Sequence, residues 1–443
     1  MTKEEAIRPK ERDAILQSLR AGVVPRLGQQ HIQVGRAREV ETLVKDIERI
    51  ADGGSGIRFV IGEYGAGKTF FLYLIRSVAL QMKLVTIHAD LTPDRRLQAT
   101  GGQARALYAE LMRNMATRTK PDGNALSSVV ERFVSSAMTD AKVSGKSPGE
   151  VIAERLNHLS EMVGGYDFAE VIGAYWRGHD TGNDQLKTDA VRWLRGEFTT
   201  KTDARAALGV RSYVDDAAFY DQLKLMSRFV RLAGYSGLLV CLDEMVNLYK
   251  VPNTQARNAN YEQILRILND CLQGASESFG FLLGGTPEFV TDTRRGLYSY
   301  QALQSRLAEN TFAVNGLVDL SGPLIRLSSL TPEDIFVLLG KLRRVHASGD
   351  GLRTLLPDDG IHAFMTHCSQ RVGDAYFRTP RNTIRAFLDL LAVLEQNPGV
   401  TWQQLLGNIA IEQEKAPDLE FSEEAPNGGA NEGGDDELTS LRI

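Results

Sequence analysis

The sequence predicts an α/β protein with a parallel-sheet core, and three runs of residues carry the prediction. The first is IRFVI at 57–61, an apolar, β-branched run suited to a buried parallel strand, followed at once by GEYGAGKT at 62–69. That octet fits G-x-x-x-x-G-K-[ST] without deviation, and the helical run FFLYLIRSVALQM comes next, so strand, Gly-rich turn and helix stand in the order the pattern requires. The second is LLVCLDE at 238–244, which places Asp243 at the carboxyl end of a buried strand, where open α/β sheets bind ligands. The third is a further strand in ESFGFLLGGT at 277–286. Together they define a P-loop NTPase of the additional-strand, AAA+ class, with a large helical insertion and a small C-terminal helical lid domain.

The elements follow in chain order. Residues 1–30 read as a short helical segment and a turn through Pro25 and Gly28. Val40, Leu43, Ile47 and Ile50 recur at helical spacing, and Gly53, Gly54 and Gly56 end that helix. Residues 31–94 form the first part of the core, with LVTIH at 84–88 as its second strand. The stretch 95–230 is helical in pattern, with breaks near 120–124, 164–166 and 178–184, and reads as an insertion between two sheet strands. Residues 231–330 complete the core. A Thr331 N-cap with Pro332 at the first helical position opens a small helical domain over 331–410. The stretch 411–443 reads as an acidic, disordered tail, too poor in apolar residues to fold alone.

Composition narrows the function classes. The 443 residues carry 43% hydrophobic and 24% charged residues, the profile of a globular protein of two or three domains. No apolar run is long enough to span a bilayer, and the charged N-terminus lacks a signal-peptide core, so a cytoplasmic location is expected. Cys241, Cys271 and Cys368 are scattered and form no metal or disulfide pattern. The net charge of −5 is concentrated at the end, where eight acidic residues and one arginine follow Lys415. The near-neutral body neither demands nor excludes DNA.

The motifs predict ATP and Mg²⁺ as ligands. Gly62, Glu63, Tyr64, Gly65, Ala66, Gly67, Lys68, Thr69 and Phe70 make up the expected cradle, whose backbone N–H groups and helix N-terminus favour phosphate. Lys68 is expected on the β- and γ-phosphates, Thr69 on Mg²⁺, Asp243 on Mg²⁺ through water, and Glu244 as general base. The alternative for the octet is an ordinary Gly-rich turn, and for Asp243–Glu244 a helix-terminal charge pair. Thr286, ending the third strand, is the expected sensor of the γ-phosphate or lytic water; a plain turn threonine is the alternative. Arg306 is the expected finger supplied to a neighbouring copy in a homo-oligomer, with Arg294 and Arg295 competing and a solvated surface charge the commoner fate. Arg381, opening a helix, is the expected lid arginine, with Arg378 as alternative. Residues 187–211 hold six basic and three acidic residues around Trp193 and Phe198. Such a mixture can track nucleic acid, but an amphipathic helix pair with solvated charges is the preferred reading. Tyr108, Leu111 and Met115 are expected in the core.

VGRAREVE, the P-loop, LDEMVNLYK, LRILNDCLQG, GGTPEF, RRGLYSYQALQSRLAEN, LTPEDIFVLLGKLR and GDAYFRTPR together resemble a known family over about residues 10–410. The chain resembles the ATP-binding proteins of bacterial anti-phage loci of the BREX type (BrxD-like). It also resembles relatives encoded beside a TerB-like protein and a DEAD/DEAH-type helicase, the Shango arrangement. Which locus type applies stays open. The resemblance implies an AAA+-like ATPase in phage defence, working with a helicase and other defence proteins. No C-terminal winged helix is evident, which puts initiator-like DNA binding in doubt.

Overall fold

The computed structural model describes residues 7–313, 317–350 and 354–407. The expected acidic tail, 411–443, lies outside the described residues. Among the described residues, five parallel strands form one sheet: β1 (Ser55–Ile61), β2 (Val85–Asp90), β3 (Leu238–Asp243), β4 (Phe279–Gly285) and β5 (Leu324–Arg326). Their spatial order is β2-β3-β4-β1-β5, so β4 lies between the strand that precedes the Gly-rich loop and the strand that ends in Asp243. The register pairs Ile61 with Gly285 and Leu283 with Leu242, bringing all these strand ends to one edge of the sheet. β2 runs two residues beyond the apolar LVTIH stretch and ends at Asp90, opposite Asp243.

Helices cover both faces, because strands alternating apolar residues to either side bury both. On one face the helices Ala37–Ala51 and Lys68–Gln81 pack Leu43, Ile47, Phe71, Leu72 and Ile75 onto Val60, Leu239, Cys241 and Leu282. On the other face lie the helices that follow β2 and β3. The stretch 95–230 contributes Gln103–Arg113, Leu126–Ser144, Pro148–Ser160, Gly165–Thr181, Asp184–Leu194, Lys201–Leu208 and Phe219–Leu232. Their apolar faces join Phe59, Ile87, Val240 and Phe281 in one continuous core, so this stretch is fused to the sheet and not appended to it. Tyr108, Leu111 and Met115 are fully buried in it. Trp193 and Phe198 are also buried, at 1% and 4% exposure. The aromatics of 187–211 are therefore not available for base stacking.

The C-terminal helices Pro332–His346, Asp358–Val372, Arg381–Gln396 and Trp402–Leu406 form a separate cluster. Thr331 caps the first: its hydroxyl accepts from Asp334 N at 3.1 Å, while Asp334 accepts from Thr331 N at 3.0 Å. The N-terminal helix Pro9–Arg20 inserts Ile15 and Leu16 into this same cluster, beside Leu339, Phe387 and Leu388. Arg12 and Arg20 fasten it by bonds to the carbonyls of His346 and Leu388, at 3.0 and 3.1 Å.

Candidate functional site

The Gly-rich loop leaves β1 at Gly62, where Gly62 N donates to Gly285 O of β4 at 3.2 Å. The loop closes into the helix Lys68–Gln81 through Gly67, whose φ of 76° is the left-handed conformation that only glycine adopts without cost. The first-turn N–H groups of that helix have no carbonyl four residues back, and its positive end faces the loop. Lys68 Nζ donates to the carbonyls of Gly62 and Glu63, at 2.8 and 3.0 Å. Burial lowers the pKa of its ammonium, and Asp243, Glu244, Glu63 and Glu288 oppose that shift.

Thr69 Oγ1 donates to Asp243 Oδ2 at 2.6 Å, joining residues 174 positions apart in the chain. Asp243 is buried, and its second oxygen accepts from Glu244 N at 2.8 Å. Gly284 makes room for it: a β-carbon there would lie 2.4 Å from Asp243 Oδ1. Glu244 turns the chain at φ 57°, uncommon for a residue with a β-carbon, and is exposed. The surrounding protein and then the Asp243 charge raise the pKa of its carboxyl.

Thr286 follows β4, between the loop and Asp243, and its hydroxyl is buried without a hydrogen-bond partner among the described residues. A buried hydroxyl left unpaired costs about 1–3 kcal/mol, so this atom suits a ligand or a water. Oxygen donors at Thr69 and Asp243 are the hard donors that Mg²⁺ takes. The loop, the orphaned hydroxyl and the donor set thus fit a nucleotide with its metal.

Arg381 also comes to the loop. Its Nη1 is 3.4 Å from Tyr64 Oη, and its guanidinium lies 6.0 Å from the Tyr64 ring centre. Beside it Thr379 packs on Gly65, where an added β-carbon would be 2.9 Å from Thr379 Cγ2. Phe70 leans on the C-terminal cluster. The side chain of Arg378 lies outside the described residues. Arg306 is not brought to this site. It is exposed and donates to Asn269 Oδ1 at 2.6 Å. Two residues on from Asn269, the carbonyl of Cys271 accepts from Ser55 Oγ at the start of β1. Arg295 donates to the carbonyls of Tyr249 and Val251, bracing the chain after Glu244, and Arg294 is exposed.

Two nearby residues were not among the expected site residues. Arg36, from VGRAREVE, donates to the carbonyls of Ala66 in the loop and Ser328 beyond β5. Its place in a quoted motif is a signal, but nothing local assigns it to the loop. Asp90, the register partner of Asp243, is the second.

Fold and site together define a P-loop nucleotide-binding protein of the NTPase type. The chain belongs to the BREX system ATP-binding protein BrxC/D family, whose sequence profile matches residues 7–410. Membership places it among the components of a phage defence system. No curated protein matches the chain. Among the described residues no helix is long and apolar enough to cross a membrane.

Proposed function

We propose that this chain is an AAA+-like ATPase that hydrolyses ATP with Mg²⁺ in the cytoplasm and uses the cycle to remodel or load a partner helicase or a DNA complex during phage defence. The observation that carries the reading is the 2.6 Å bond from Thr69 to Asp243, with Glu244 next in the chain and exposed. It joins the two halves of a phosphate and metal site around an inserted strand. Lys68 and the loop N–H groups hold the β- and γ-phosphates, and Thr69 and Asp243 hold the metal. Mg²⁺, when bound, offsets the phosphate charge. Glu244 takes a proton from the attacking water while the water oxygen bonds the γ-phosphorus and the bond to the leaving ADP oxygen breaks. Thr286 orients that water or the γ-phosphate. The C-terminal helices serve as the lid. Arg306, which makes no contact with its own loop among the described residues, acts only if a neighbouring copy receives it, so the reading requires a homo-oligomer.

Glu244→Gln tests the base directly. The variant is expected to bind ATP like the wild type, to lose at least about a hundredfold in turnover, and to fail in defence against phage. Wild-type turnover in the variant removes Glu244 from the mechanism. Since the pKa of its carboxyl is raised, turnover of the wild type should climb with pH through a value above that of an ordinary glutamate.

A second reading is a slow nucleotide switch that recruits effectors, and the Arg381–Tyr64 contact favours it, because it couples the C-terminal helices to the loop. Turnover measured alone and with duplex DNA, single-stranded DNA, the helicase or a TerB-like partner separates the two. Stimulation supports the loader, and a slow, insensitive rate supports the switch.

A further inference from the structure

β2 and the P-loop helix meet along a ladder of three levels. Side chains alternate along a strand, so Thr86, His88 and Asp90 face the same side of β2. On the helix, Arg76, Tyr73 and Thr69 are spaced by three and four residues and form one stripe. At the first level Arg76 Nε donates to Thr86 Oγ1 at 3.1 Å. At the second, the Tyr73 and His88 rings meet edge to face, 5.6 Å apart. The third sets Thr69 at the height of Asp90. There Thr69 bonds Asp243, and Asp243 is the register partner of Asp90. Neighbouring strands lie about 4.8 Å apart, so two carboxylates stand side by side on the face that Thr69 meets.

Asp243 is committed to Thr69 and to Glu244 N, whereas the exposed Asp90 carboxylate has no hydrogen bond or close ion pair among the described residues, with Arg95 and Arg26 acting on it only through space. Arg95, the nearest candidate counter-ion in sequence, pairs with Glu110 instead, at 3.2 Å. The described residues also hold no three-ligand cluster of His, Cys, Asp and Glu, so Asp90 does not belong to a preformed metal cage. Mg²⁺ keeps several of its waters when bound, and those waters need acceptors. A solvent-facing carboxylate one strand away from the aspartate proposed to hold the metal, and in register with it, meets that need.

We infer that Asp90 is a positioning residue for the divalent cation, accepting a hydrogen bond from a metal-bound water on the β2 side. The inference rests on reading Gly62–Thr69 with Asp243 as a metal–nucleotide site. The test titrates Mn²⁺ into the full chain with a non-hydrolysable ATP analogue and follows free Mn²⁺ by electron paramagnetic resonance. Asp90→Asn is expected to raise the Mn²⁺ half-saturation by roughly tenfold, as outer-shell partners do, while the melting temperature and the metal-free affinity for the analogue do not fall. Asp90→Glu, which keeps the charge, should lie between the two. Equal half-saturation in all three proteins overturns the inference. So does an equal rise in Glu110→Gln, which removes a nearby charge outside the ladder. A wild-type chain that binds neither the analogue nor Mn²⁺ defeats the nucleotide reading itself, an outcome distinct from a wild type and Asp90→Asn that bind alike.

Discussion

Gly284 shows how much of the site depends on one missing methyl group. It lies on β4, next to the strand of Asp243, and a β-carbon would press to 2.4 Å from Asp243 Oδ1. Gly284→Ala must therefore displace the carboxylate or the strand. Overpacking of this kind costs about 1–3 kcal/mol, and the displaced carboxylate can no longer meet Thr69. Calorimetric titration is expected to show metal-dependent nucleotide affinity falling further than metal-free affinity; equal affinities in variant and wild type would refute the steric account. The places of Lys68 and Thr69 after the loop and of Asp243 and Glu244 at a strand end were legible from their motifs, because a Gly-rich loop and an acidic strand end are local patterns. Arg36 and Asp90 were not, since their partners lie 30 and 153 positions away.

At the scale of elements, a buried ion pair ties the sheet to its neighbours. Arg58, on β1, donates from Nε to Asp46 Oδ2 at 2.6 Å and from Nη2 to Asp46 Oδ1 at 3.2 Å. Asp46 belongs to the helix Ala37–Ala51, and both residues are 7% exposed. Arg58 Nη1 also holds the carbonyls of Leu320, Ser321 and Gly322, which lead into β5. One guanidinium thus joins helix, central strand and edge strand. Breaking such a pair from one side strands a buried charge and costs about 3–5 kcal/mol. Asp46→Asn is expected to lose that much in urea denaturation, whereas Asp46→Leu combined with Arg58→Met should lose far less. Comparable losses would mean the charge itself is not the issue. Nothing local in the sequence links Arg58, inside an otherwise apolar strand, to Asp46 twelve residues earlier on a helix.

Across the whole molecule, the first helix belongs to the last ones. Ile15 is fully buried among the C-terminal helices, 320 residues away from Ile335 in the chain. Those helices in turn press Thr379 and Arg381 on the loop. Ile15→Ala is expected to cost about 2–5 kcal/mol of stability in the C-terminal cluster, read as faster hydrogen exchange in 332–346 and 381–396. It should also weaken nucleotide binding, although Ile15 does not line the loop. Exchange rates that change only within 9–20 would show that the N-terminal helix is a passenger.

The sequence by itself determined the strands, the phosphate loop, the acidic strand end and the helical periodicity, because each depends on neighbours within a few residues. It also carried the family. Tertiary structure alone decided the order of the strands, and with it the pairing of Thr69 with Asp243, the place of Asp90 beside them and the bond of Arg306 to Asn269. It decided too that the 95–230 helices share the sheet's core and that the N-terminal helix closes the C-terminal cluster. Strand order and helix docking minimise exposed apolar area over the whole chain, and no local window of residues contains that sum.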